Sequence, residues 1–171
     1  TQAAVKAAHG GPRVFAAADE LSHPIAVVHG FDYVKATNLR TGRDSPITCE
    51  DGSTVAPASL TWPRAGGAYA QLDERIVLDT RSVEYACFDT EDDDLEVDDV
   101  SPEGHVALRT GVGPRGTGGA LSVVTLDGEE QWTAEGIPGE VVNAQFVDED
   151  TLAVSHAQGS HVTTRLVDLD G

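Results

Sequence analysis

Ser101-Pro102-Glu103-Gly104-His105-Val106-Ala107-Leu108, followed at Leu121-Ser122-Val123-Val124-Thr125-Leu126-Asp127-Gly128 by a second apolar run, is the stretch whose reading decides the fold. Ser-Pro-Glu-Gly is turn punctuation, Val106 and Leu108 share one face of an extended chain, and Asp127-Gly128 marks the next tight turn. Gln131-Trp132-Thr133 closes the unit. The order is therefore strand, glycine-rich loop, strand, turn, strand.

A similar unit runs from Val141 to Gly171. Val142, Ala144 and Phe146 alternate with Asn143 and Gln145, Glu149-Asp150 turns the chain, and Leu152 with Val154, then Val162, Thr164 and Leu166, give two more strands. Weaker versions lie upstream. Val14–Ala18, Pro24–Val28 and Tyr33–Leu39 read as strands, the last entering a hairpin at Arg40-Thr41-Gly42, with an outer strand at Pro46–Cys49. Ala68–Leu72, Arg75–Asp79 and Val83–Asp89 follow, and no long segment carries the 3.6-residue period of an amphipathic helix. The expectation is an all-β chain of repeated antiparallel units. With Gly42, Glu91, Gly128 and Gly171 as corresponding points, the spacings are 49, 37 and 43 residues.

Such spacings suit a four-stranded propeller blade of about 40 to 50 residues. On Ser101-Pro102-Glu103-Gly104, Leu121–Gly128 and Trp132 the chain resembles TolB-like and WD40-like blades, with Glu103 in place of the usual aspartate. Tyr33 to Gly42 is more similar to a quinoprotein (PQQ-like) blade, although the tryptophan expected after Gly42 is missing. The resemblance implies a β-propeller of four-stranded antiparallel blades over approximately 12–50, 53–99, 100–134 and 137–171, the last incomplete. Two closures fit: Ala3 to Ala8 supplies the missing strand, or the chain is part of a larger propeller with further blades from the parent chain. The second is preferred, because the sequence starts without methionine and stops in mid-hairpin.

Composition narrows the partners. Twenty-nine acidic residues against 11 basic ones give a formal net charge of −18, which repels phosphate backbones and anionic lipid. Nucleic acid is excluded as a natural partner, and no apolar run is long enough to span a membrane. Cationic ligands and basic protein faces remain compatible. Cys49 and Cys87 are the only cysteines. They fit one disulfide in an extracytoplasmic, secreted setting, and they fit two buried thiols as well.

Four patterns suggest chemistry. Gly111-Val112-Gly113-Pro114-Arg115-Gly116 matches G-x-G-x-x-G, but strands flank it where a dinucleotide site needs a helix, so no cofactor is expected there. The acidic run Asp89 to Asp99 reads as a solvated loop, with Asp92, Asp93, Asp94 and Glu96 as candidates for an irregular calcium site. An EF-hand is ruled out by Val97 at the sixth position from Asp92. His156 and His161 flank a hairpin without completing a metal set, and Ser155-His156 lacks a nucleophile elbow. The aromatic residues Tyr33, Trp62, Tyr69, Tyr85 and Trp132 are expected to pack at blade bases.

The functional expectation is a non-enzymatic binding module that offers a propeller's loop face to a protein or other ligand. The alternative is a hydrolase or lyase acting on carbohydrate or peptide, with carboxylates converging around the channel.

Overall fold

The structure, a computed structural model, describes residues 3–5, 13–17, 24–29, 34–49, 68–88, 95–111, 120–134 and 137–170. These residues form β-strands and turns only, arranged in four antiparallel sheets. The first sheet holds β1 (Ala3–Val5), β2 (Arg13–Ala17), β3 (Ile25–His29), β4 (Val34–Asn38) and β5 (Asp44–Ile47), side by side in chain order. The second holds β6 (Tyr69–Asp73), β7 (Ile76–Asp79) and β8 (Tyr85–Cys87). The third is β9 (Leu95–Val100), β10 (Val106–Thr110), β11 (Ala120–Val124) and β12 (Glu130–Thr133), and the fourth is β13 (Glu140–Phe146), β14 (Thr151–Gln158) and β15 (His161–Asp168).

Strand alternation explains how the sheets stack. In β7, Ile76 and Leu78 join Ile25, Val27, Val34 and Ile47 of the first sheet in one core, while Val77 on the opposite face joins Val97, Val106 and Leu108 of the third sheet. In β10 the neighbouring Ala107 points the other way, into a core with Val141, Phe146, Leu152 and Val154 of the fourth sheet. The two middle sheets thus bury both faces, and three apolar layers join four sheets in series. The strongest tertiary neighbours across sheets are β9 with β13 and β6 with β9.

The opening sequence motif makes a tight turn. Ser101 Oγ accepts the His105 N–H at 3.0 Å, the Ser101 carbonyl accepts Gly104 N–H at 3.1 Å, and Ser101 N–H donates to the His105 carbonyl at 2.7 Å. Gly104 has φ +95°, and a Cβ there would lie 2.7 Å from Cζ of the Tyr69 ring. Only glycine lets this turn close against the second sheet.

Two hairpins share a second turn. The N–H groups of Gly42 and Val83 donate to the carbonyls four residues back, of Asn38 and Asp79, whereas Gly128 N–H donates to the Thr125 carbonyl three residues back, as Gly104 does to Ser101. Gly42, Val83 and Gly128 all have positive φ, at 71°, 63° and 85°, and lie between β4 and β5, β7 and β8, and β11 and β12. The sequence reading took Glu91 as the corresponding point between Gly42 and Gly128, and Glu91 lies outside the described residues. Val83 tolerates its positive φ with its side chain buried in the first core.

One further expectation is corrected. The acidic run, expected to be a solvated loop, is a strand from Leu95 onward, with Leu95 and Val97 buried. β9 opens the third sheet. Ala3–Val5 pairs with β2 and extends the first sheet, which does not fit the less favoured of the two closures.

Cys49 and Cys87 form a disulfide, Cα atoms 5.8 Å apart, across the outer edges of the first two sheets. Tyr85 strengthens the same seam: its hydroxyl accepts the Thr48 N–H at 3.0 Å and donates to the Thr48 carbonyl at 2.9 Å. Buried Asn38 donates to the Thr80 carbonyl at 2.8 Å, joining the two sheets' turns. Among the described residues no helix is long and apolar enough to cross a membrane.

Candidate functional site

β9 carries the chain's most concentrated electrostatics. A bulge opposite Ala107 and Leu108 leaves Asp98 outside the pairing register, so Asp98 and Asp99 both reach toward the fourth sheet. Asp98 Oδ2 accepts the Ala144 N–H at 2.7 Å and Asp99 Oδ2 accepts the Phe146 N–H at 2.9 Å. Arg109, almost fully buried, donates from Nε to both Asp98 oxygens at 2.8 Å and from a terminal nitrogen to Glu96 at 2.8 Å. Burial pushes the carboxyls of Asp98 and Glu96 above the usual carboxylate range, and the Arg109 charge opposes that rise. Every charge in this cluster has a partner inside the protein, so the cluster acts as a joint between sheets.

Open carboxylates gather elsewhere. The β9–β10 turn, the β13–β14 turn and the end of β15 meet around a cleft of about 510 Å³, lined by Pro102, Asp148, Glu149, Asp150, Asp168 and Asp170 among others. Among the described residues no lysine or arginine lines it. The backbone fixes this acidic rim: Asp148 Oδ1 accepts the Asp150 N–H and Asp168 Oδ1 accepts the Asp170 N–H, each at 3.1 Å, while Leu169 N–H donates to the Asp150 carbonyl at 2.8 Å. The negative charge of Glu103, then of Asp150, holds the Glu149 carboxyl above its ordinary range. The rim is an exposed, concentrated anionic surface with the chemistry to attract cations.

The residues singled out from sequence fare unequally. Glu96 is bonded to Arg109, while Asp92, Asp93 and Asp94 lie outside the described residues. Among the described residues no group of three or more histidine, cysteine or acidic side chains is set to hold a metal. Residues 112–116 of the glycine motif also lie outside them, and Gly111 follows one strand of a β10–β11 pair. Ser155 and His156 project from opposite faces of β14: Ser155 Oγ bonds Thr164 Oγ1 at 2.8 Å, and the buried His156 ring has no hydrogen-bond partner. His161 is exposed. Tyr85, Tyr69 and Trp132 pack in or against the first, second and third cores, and Tyr33 and Trp62 lie outside the described residues.

Asp98, Asp99 and Arg109 went unnoticed in the sequence. The available signal was the period-two alternation of Leu95 and Val97 with Glu96 and Asp98, obscured by the count of acidic residues around it. Comparison of the chain with protein-family models, curated proteins and solved structures finds no match.

Proposed function

We propose that the chain is a non-enzymatic binding module of β-propeller type whose acidic turn end receives a cationic protein face or peptide. The observation that carries this reading is the rim of Asp148, Glu149, Asp150, Asp168 and Asp170 around an open cleft that no basic residue lines among the described residues. It is held on turns between strands packed in series, a rigid scaffold with a polar, solvent-facing end, which suits recognition. The stacked antiparallel sheets, with positive-φ turns at Gly42, Val83 and Gly128 before the border strands β5, β8 and β12, support the propeller architecture. The disulfide supports an extracytoplasmic setting.

The hydrolase or lyase alternative requires carboxylates in a protected pocket. The described pair, Glu103 with Glu149, is exposed, and the buried Asp98 is neutralised by Arg109. The binding reading is therefore preferred. The calcium expectation now rests on Asp92, Asp93 and Asp94, and thermal melting with calcium and then chelator tests it.

The binding test is titration of a fluorescent arginine octapeptide into the wild type, into Asp148→Asn/Glu149→Gln/Asp150→Asn, and into Glu84→Gln/Glu129→Gln/Glu130→Gln as a charge-matched control. The reading expects at least a tenfold loss confined to the rim variant, with affinity falling as salt rises. Equal losses in both variants would reduce the effect to net charge and overturn the assignment of the rim.

A further inference from the structure

Residues 81–87, the later part of the β7–β8 turn with β8 itself, form an arm slung between two firm points. At one end Thr80 is fully buried, its N–H and Oγ1 both donate to the Ala68 carbonyl at 2.7 Å, and its own carbonyl accepts Asn38 Nδ2 at 2.8 Å. At the other end Phe88 is buried in the second core and its N–H donates to the Arg75 carbonyl at 2.8 Å. Between them the hold is slighter. β8 has three residues, all half-buried, and pairs with β7 at those three positions. The arm meets the first sheet through Tyr85 with Thr48 and Glu84 with Arg43, polar ties that water reaches.

Val83 is the arm's one buried side chain, and its φ of +63° is a conformation that a β-branched residue adopts at a cost. That cost and the gain from burying an isopropyl group are of similar size, so backbone and packing nearly offset each other at this residue. The Cys49–Cys87 disulfide is then what decides where the arm rests. Cys87 is half-buried at the arm's end, and Cys49 follows β5 of the first sheet. Short, lightly buried segments of this kind are those that open locally while the rest of a fold stays closed.

We propose that the Cys49–Cys87 disulfide is a redox latch: oxidised, it holds residues 81–87 against the first sheet, and a dithiol reductant releases that arm while Thr80, Phe88 and the other strands keep their places. One thiolate of the reductant attacks a sulfur of the bridge and its second thiol resolves the mixed disulfide. Two electrons and two protons end on Cys49 and Cys87 as thiols, and the reductant becomes a disulfide. Release takes Val83 out of its left-handed conformation and leaves β7 as the border of its sheet. The latch thus controls access to the outer edge of β7 and to Ile76 and Leu78 of the first core behind it. It does not depend on the acidic rim.

The experiment is amide hydrogen exchange by NMR on the 171-residue chain, first oxidised, then in excess dithiothreitol, then reoxidised. Alkylation and mass measurement on a sample of each state count the free thiols. Val83 N–H donates to the Asp79 carbonyl and Asp79 N–H to the Glu84 carbonyl, so these two amides report the arm. The expected result is exchange faster by roughly tenfold or more at both in the reduced state alone, with Thr80, Phe88 and the β14 amides unchanged and slow exchange restored on reoxidation. Cys49→Ser/Cys87→Ser is expected to exchange as the reduced chain does, with or without reductant. A bridge that resists dithiothreitol in the folded chain, or unchanged exchange at Val83 and Asp79 once both thiols are free, would overturn the proposal. Loss of protection in all four sheets together, in the reduced chain or in the double variant, would overturn it in favour of a staple on which the whole fold depends.

Discussion

Asp98 on β9 accepts the backbone N–H of Ala144 on β13 at 2.7 Å, and through this bond a carboxylate of the third sheet holds the first strand of the fourth. The same carboxylate is gripped by Arg109, and both side chains are almost completely buried. Removing Asp98 leaves the buried Arg109 with Glu96 as its remaining carboxylate and takes the acceptor from the Ala144 N–H, so Asp98→Ala is expected to cost about 3 kcal/mol in chemical denaturation. The double variant Asp98→Leu/Arg109→Met, which removes both charges, is expected to lose clearly less. Equal losses would show that the pairing is not what matters at this joint.

Acidity provides a second check. Asp98 and Glu96 have carboxyls raised by burial, so each binds a proton more readily in the folded chain than in the unfolded one. Their contribution to stability is fully present below the unfolded carboxylate range and is lost as pH rises through the raised folded values. Self-repulsion in a chain of net charge −18 acts in the same direction. Asp79, lowered overall by its bonds to Arg81 and the Arg81 charge against an opposing effect of burial, acts oppositely only as pH falls through its own depressed value. Thermal midpoints should therefore rise between pH 7 and about pH 5. A steady fall over that interval would contradict this electrostatic account.

Reduction of the Cys49–Cys87 disulfide opens a link between residues 38 apart in sequence. The expected loss is about 2–4 kcal/mol, read as a lower denaturation midpoint after reduction and alkylation. Mass measurement establishes that both thiols were modified. An unchanged midpoint would mean that Tyr85 and Asn38 hold the first two sheets together without it.

His156 offers a stabilising substitution. Its ring is buried and neither nitrogen has a hydrogen-bond partner. Replacement by leucine removes an unsatisfied polar group and is expected to raise stability by about 1 kcal/mol. A loss of similar size would point to a packing role specific to the imidazole.

The sequence displays the strands wherever one face is clearly apolar. Leu152 and Val154 announce their strand because core-facing and partly exposed residues alternate, and Val106-Ala107-Leu108 announces its strand as a short apolar run behind a turn, buried on both faces. β9 escaped because Glu96 and Asp98, which alternate with Leu95 and Val97, are acidic like the residues before them in the sequence, and because the bulge at Asp98 breaks the alternation where it would be most informative. The β7–β8 turn escaped because Val83 occupies a backbone conformation that sequence rules reserve for glycine. The candidate site was legible only as separate turns. Glu149-Asp150 signals a bend, but its position beside Glu103 and Asp168 follows from the stacking of two sheets and the reach of β15, which no local pattern encodes.

The serial stacking of the sheets through β9 is tested most directly by hydrogen exchange at Ala144 and Phe146, the amides bonded to the Asp98 and Asp99 carboxylates. The account predicts that both exchange only as slowly as the most protected amides of β14, and that Asp98→Ala selectively releases Ala144. Rapid exchange of these two amides while the rest of β13 stays protected would contradict it.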